Sequence, residues 1–270
     1  MASARASAED ATDLQKKTQN PVADLASVPF QFNFNSGGDL KDRTQSVVNF
    51  QPVVPLPVTD RWNVIVRPVI PIVNTPTAGG GRKLGLADIQ PQLFFTPADA
   101  GKIVWGLGPV LSFPTATNDA LRTGQWGAGP AGVLVISTGH WVVGLLSNNV
   151  WRVAGSRREP KLNAFTLQPF INFNFGHGWA LSFAPLITAN WTAPSRNTWT
   201  VPLGAGVSKV HAIGKQPVNL SLQYYRNVAY PDGSGANQLR IVVAFLFPKV
   251  PMGAGPMAAP APVGAPAEPH

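Results

Sequence analysis

Along much of the chain, apolar and polar residues alternate one for one. Between 165 and 175, Phe165, Leu167, Pro169, Ile171, Phe173 and Phe175 interleave with Thr166, Gln168, Phe170, Asn172 and Asn174. A strand points successive side chains to opposite faces, so this run predicts a β-strand with one apolar face and one face rich in amides. The first such run repeats the scheme, with Phe30, Phe32 and Phe34 opposite Gln31, Asn33 and Asn35. The last sets Leu239, Ile241, Val243, Phe245 and Phe247 against Gln238, Arg240, Val242, Ala244 and Leu246. Two stretches, 124–151 and 162–195, contain no Asp, Glu, Lys or Arg and exceed the roughly 20 residues that span a bilayer as a helix. Their content excludes that helix: Pro130, Pro169 and Pro185 would break its ladder, and Asn148, Asn149, Asn172 and Asn174 would face lipid.

Strand-like runs centre near Phe32, Phe50, Val66, Gln90, Leu107, Gly132, Leu145, Gln168, Phe183, Val201, Leu220 and Val243. That predicts about twelve strands of roughly 10 to 14 residues, long enough to cross a bilayer when tilted. The connections alternate in size. Those at 57–61, 97–101, 139–140, 176–178 and 210–215 are short, whereas those at 36–43, 75–83, 115–124, 155–161, 193–197 and 229–236 are mostly longer and more polar. Short turns on one side and long loops on the other are the pattern of outer-membrane barrels with both termini in the periplasm; a soluble β-sandwich has no reason to keep such parity. The expected fold is therefore all-β, a transmembrane antiparallel up-and-down β-barrel of about 12 strands.

Tryptophan positions agree with this reading. Trp62, Trp105, Trp141 and Trp179 each open a strand after a short turn, and Trp126, Trp151, Trp191 and Trp199 lie close to long loops. Indole has an apolar body and one N–H donor and favours the membrane interface, so the eight form two expected interface girdles. Prolines argue the other way, because they recur inside the strands and cannot donate to a ladder. Folding the hairpins about their turns sets Pro68 near Pro91, Pro91 near Pro109, Pro109 near Pro130, Pro169 near Pro185 and Pro185 near Pro202. This predicts a mid-height belt where ladder bonds are interrupted and strands bend.

Composition then narrows the function. The 270 residues include 13% charged residues, 26 glycines, 27 prolines and no cysteine. The absence of cysteine excludes a disulfide framework, a thiolate metal site and a cysteine nucleophile. A net charge of +8 raises nucleic acid as a partner, but no basic helix, RNP-type strand or Cys/His finger is present, and none is expected. His140, His177 and His211 fall in the short periplasmic turns and His270 in the tail, out of reach of a serine near the outer leaflet. Neither an enzyme, a cofactor nor a metal site is expected.

Passage of small solutes is the function this leaves, with a closed structural or interaction barrel as the alternative. Arg67, Asp88, Gln90, Gln92, Gln168, Asn172, Asn174 and Arg240 are the expected lumen-lining residues. Amides can hydrogen-bond water and neutral solutes without a strong charge filter, while Arg67 and Arg240 against Asp88 tilt the field positive. Asp88 lies across one loop from Arg67, and an ion pair bracing the wall is expected between them. Arg226, on a face with Leu222 and Tyr224, is placed near the outer rim where lipopolysaccharide phosphates lie; Arg152 has mixed neighbours on both faces and receives no facing.

Several segments resemble the MetA-pathway of phenol degradation family of bacterial outer-membrane barrels: 20–35 (NPVADLASVPFQFNFN), 85–91 (GLADIQP), 105–117 (WGLGPVLSFPTAT), 124–133 (GQWGAGPAGV), 145–155 (LLSNNVWRVAG), 167–175 (LQPFINFNF), 199–210 (WTVPLGAGVSKV), 214–228 (GKQPVNLSLQYYRNV) and 239–249 (LRIVVAFLFPK). The resemblance spans about 13–249 and departs from the family pattern at Ala87 and Arg122, where glycine is usual. It implies a transporter of the bacterial outer membrane, and the family's name adds aromatic or other apolar compounds as solutes. Membrane lipids, lipopolysaccharide and the barrel-assembly machinery, which reads an aromatic-ended last strand such as the one holding Phe245 and Phe247, are the implied partners. The oligomeric state is left open.

The ends divide the chain into an N-terminal periplasmic segment 1–27, a barrel 28–248 and a disordered Pro/Ala/Gly-rich tail 249–270. Ala2-Ser3-Ala4 and Ala6-Ser7-Ala8 have the form cut by signal peptidase, but no apolar run precedes them, so a leader already removed, or a start assigned too late, is expected. Residues 11–19 predict a short helix with Thr12 and Gln15 as a capping box and Pro21 as its stop. Two positions are open to it, loose beneath the barrel or inside its lumen.

Overall fold

The computed structural model describes residues 11–77, 79–99 and 101–248. The expected tail and both signal-peptidase motifs lie outside these residues. Fifteen strand segments make one sheet: β1 (Ala26–Ser36), β2 (Gln45–Phe50), β3 (Val54–Thr59), β4 (Trp62–Pro76), β5 (Arg82–Leu86), β6 (Gln90–Pro97), β7 (Ile103–Ser112), β8 (Gln125–Thr138), β9 (Trp141–Gly155), β10 (Asn163–Gly176), β11 (Trp179–Phe183), β12 (Ile187–Asn190), β13 (Trp199–Ile213), β14 (Gln216–Ala229) and β15 (Asn237–Phe247). β2 with β3, β5 with β6, and β11 with β12 are each one stave in two pieces, so the barrel has 12 antiparallel strands. β1 closes it by pairing with β15 from Ala26↔Phe247 to Ser36↔Asn237, which leaves no open edge.

The connections fall on two ends as their lengths require. At one end the turns are tight. His177 and Gly178 have φ of 51° and 76°, the left-handed pair of a two-residue hairpin, and Gly139 adopts φ 52° in the turn before Trp141. The longer loops gather at the other end and tie to one another: Gly233 N–H donates to Asp39 (2.8 Å), and Asp232 meets Arg196 at 3.4 Å.

Prolines interrupt the wall near mid-height. Pro68 stands opposite Pro91 and Pro109 opposite Pro130, and the registers on either side of the β11–β12 break bring Pro185 to the level of Pro169. Pro91 and Pro109 miss each other by two residues, because Gln92 pairs with Val110. The breaks between β2 and β3 and between β11 and β12 fall at Pro52 and Pro185, where no backbone N–H is available to the ladder.

All eight tryptophans lie on the outer face, 37–49% exposed. Trp141 opens β9 and Trp151 lies ten residues on, four before its end. At about 3.3 Å per residue and a tilt of about 40°, they differ in height by about 25 Å, the depth of an outer-membrane apolar band. Trp62 packs edge-on against Trp105 at one level (5.8 Å) and Trp191 against Trp199 at the other (5.2 Å). Between them the outer face is aliphatic, with Leu107, Leu134, Leu145, Leu203 and Leu222 exposed.

Candidate functional site: the barrel interior

The interior has two unlike regions. Across β4 and β6–β10 an apolar cluster fills part of it: Ile65, Phe94, Val110, Val135, Val142 and Leu146 are essentially buried and pack together, while Arg67, Gln92, Gln168 and Asn172 point inward from the same staves. Phe170 enters this cluster over Gly144, its neighbour across the β9–β10 ladder, where any Cβ would run into the Phe170 ring. Across β15, β1 and β2 the interior is a hydrogen-bonded sheet of amides. Arg240 donates to Asn33 (3.1 Å), Gln223 (3.3 Å), Gln238 (3.0 Å) and the Ala184 carbonyl (3.0 Å). Gln238 continues the chain to Asn35, Asn35 to Gln45, and Gln45 to Thr75.

The amino-terminal segment lies inside the short-turn end of this interior. The helix 11–18 forms as expected. Gln15 does not complete a capping box; it is fully buried and donates to Ser208 Oγ at 2.6 Å. Thr18 accepts from Asn219 (3.1 Å), and Gln19 and Asn174 exchange two amide hydrogen bonds (3.0 and 3.1 Å). Past the helix, Val22 joins the apolar cluster, while Ala23 and Leu25 pack with Val210, Ala244 and Leu246. The segment thus carries polar groups to β10, β13 and β14, and apolar groups both to the large cluster and to β13 and β15. Placing it wholly beneath the barrel is corrected by these contacts.

Among the expected lumen residues, Arg67, Gln90, Gln92, Gln168 and Arg240 line one cavity of about 120 Å³ above the segment. Arg67, Gln168 and Asn172 line a second cavity of about 210 Å³ between the segment and the wall. Gln51, Arg67 and Gln168 belong to both and form the waist between them. Asn174 is held by the inserted segment at Gln19.

Asp88 behaves differently from its sequence reading. The ion pair with Arg67 does not form: Arg67 donates to Gln92 (2.8 Å) and Gln51 (3.0 Å). The Asp88 carboxylate, 7% exposed, instead accepts from Ala116 N–H (3.1 Å), Thr123 N–H (2.9 Å) and Thr123 Oγ1 (2.5 Å). It sits in the gap between β5 and β6 and ties down the loop 113–124, which Thr117 also fastens by accepting from Leu86 N–H at 3.0 Å. Its reach to a loop about 30 positions away explains the discrepancy, because strand alternation alone carries no information on loop contacts.

The two arginines without clear sequence placement also resolve. Arg152 follows the inward-pointing Leu146, Asn148 and Val150 on β9 and donates to the Ser156 carbonyl (3.4 Å). Arg226 is exposed on the outer face near the long loops and donates to Asn237 (3.4 Å).

No protein-family model matches the chain, and no curated protein matches it in sequence. Solved structures do match in fold. An outer membrane channel from Pseudomonas putida F1 has a TM-score of 0.62 at 15% identity, over 83% of this chain and 94% of that one. The NanC porin has a TM-score of 0.52 at 10% identity, over 82% of this chain and all of that one, 100%. At these identities the likeness establishes the architecture, a closed 12-stranded antiparallel barrel of the outer-membrane type.

Proposed function

We propose that this protein is an outer-membrane channel through which small solutes pass passively, narrowed by its own amino-terminal segment. The observation that carries this reading is the pair of polar cavities, about 120 and 210 Å³, that meet at Gln51, Arg67 and Gln168 beside the inserted segment. A packed scaffold has no need of buried amides that are free to exchange partners with solutes, whereas a permeation path does. The barrel's likeness to an outer membrane channel supports the same reading. The neighbourhood implied is the bacterial outer membrane, with lipid around the two tryptophan levels and lipopolysaccharide phosphates near Arg226. Residues lining the path include Arg67, Gln90, Gln92, Gln168, Asn172 and Arg240. Aromatic or other apolar solutes enter as the finer reading, since Val69, Leu146 and Leu186 contribute apolar surface to the upper cavity.

The alternative, a closed scaffold, draws on one specific observation: the amino-terminal segment is anchored at both walls. Swelling of proteoliposomes in neutral solutes of graded size separates the two. A channel admits the smallest solutes and excludes larger ones with a sharp limit. Swelling no faster than protein-free vesicles for every solute tested contradicts it.

A further inference from the structure

We infer that the upper cavity is a binding site for a small organic carboxylate; this rests on the channel reading and names its substrate class. The cavity holds two guanidiniums, Arg67 and Arg240, and no Asp or Glu among the described residues that line it. The acid that the sequence offered as their counter-charge, Asp88, is committed to the loop 113–124. Among the described residues the two ion pairs, Arg122–Asp119 and Arg196–Asp232, lie on the exposed loops. Two positive charges lining one cavity, with no carboxylate beside them from the described residues, favour an anion from outside.

The two arginines divide the work. Arg240 has its guanidinium taken up by four acceptors and a ring contact with Tyr225 at 4.8 Å, so it contributes field more than free donors. Arg67 uses two donors, toward Gln92 and Gln51, out of the five a guanidinium carries. It therefore keeps N–H groups for a planar, bidentate acceptor such as a carboxylate. Because Arg67 also borders the lower cavity, it stands where a solute must pass between the two. Val69, Leu146 and Leu186 are the apolar residues lining the same cavity and offer contact to a short hydrocarbon body. That apolar contact favours a carboxylate with a few carbons over inorganic phosphate.

The test uses the full chain in two formats. In detergent, calorimetric titration with butyrate, inorganic phosphate and butylammonium should show butyrate binding most tightly, and Arg67→Gln should weaken it at least tenfold. Gln90→Glu, which places a carboxylate in the cavity and leaves both arginines in place, should do the same; retained heat-dependent gel mobility identifies a folded barrel in each variant. In planar bilayers under a potassium chloride gradient, the reversal potential should report preference for anions in the native chain and lose it in Gln90→Glu. Phosphate binding tighter than butyrate, or butyrate binding unchanged in folded Gln90→Glu, overturns the inference. Current without anion preference likewise overturns the inference and leaves the channel standing; butyrate binding without any current sustains the site and overturns the channel.

Discussion

The apolar cluster and the amide network of the interior are built on opposite principles, although each belongs to the same sheet. The cluster around Phe94, Val135 and Val142 is packed like the core of a soluble protein and takes in Val22 of the inserted segment. The wall around Asn33, Gln223 and Arg240 keeps its side chains upright by hydrogen bonds between neighbours. In a barrel of this width packing and cavity lining share staves: β6 carries both Phe94 and Gln92, and β10 both Phe170 and Gln168. Phe94 and Phe170 belong to the cluster that takes in Val22, and Gln92 and Gln168, two residues along from them, line the cavity.

That division makes a strong prediction for stability. Phe94→Ala, at a fully buried position of the apolar wall, should cost about 3–5 kcal/mol in reversible unfolding into urea, the range for deleting a large core side chain. Gln92→Ala, two residues away on β6 and 5% exposed, should cost less and act chiefly on Arg67, whose acceptor it removes. Equal losses from the two would erase the distinction between the apolar cluster and the cavity lining. A smaller effect is expected at Asp88→Asn, about 1.5–3 kcal/mol for weakened charge-assisted bonds, with faster hydrogen exchange at Ala116 and Thr123. If Asp88→Asn shifted ion selectivity and left exchange in the loop unchanged, Asp88 would belong to the lumen after all.

The inserted segment offers the same comparison in miniature. Gln19 and Asn174 exchange two hydrogen bonds, and a double-mutant cycle to alanine should give a coupling of about 1 kcal/mol. The cycle between Trp62 and Trp105 on the outer face should return a coupling of about 0.5–1 kcal/mol from their edge-on contact. A coupling near zero for Gln19 and Asn174 would mean that the apolar residues alone, Val22 and Leu25, hold the segment.

These contrasts also explain what could be read from the sequence. Strand number, loop parity and the two tryptophan levels were legible because a bilayer forces a period of two and a fixed height on every stave. The amide wall was legible for the same reason: Asn33 and Gln31 differ visibly from Phe32 and Phe34. The apolar inner wall was not. Val133, Leu134, Val135 and Ile136 on β8 are apolar on both faces, so alternation could not say that Val133 and Val135 point inward and Leu134 and Ile136 outward. The short helix was legible, but its place was decided by Gln15, Thr18 and Gln19 meeting Ser208, Asn219 and Asn174, contacts some 155 to 201 positions apart. The glutamines on one side of the helix and Val22 and Leu25 just beyond it were the available signal. A segment with both kinds of side chain matches an interior with both kinds of wall.

On the channel reading, a narrow path runs beside the amino-terminal segment. Single-channel recording in planar bilayers of the full chain, and of a form lacking the residues before Pro21, tests it most directly. The structure predicts discrete small conductance steps for the full chain and clearly larger ones for the shortened form, since the second exposes the cavity lined by Asn172, Ser208 and Asn219 to the short-turn side. No current from either form, in barrels shown to be folded, would contradict it.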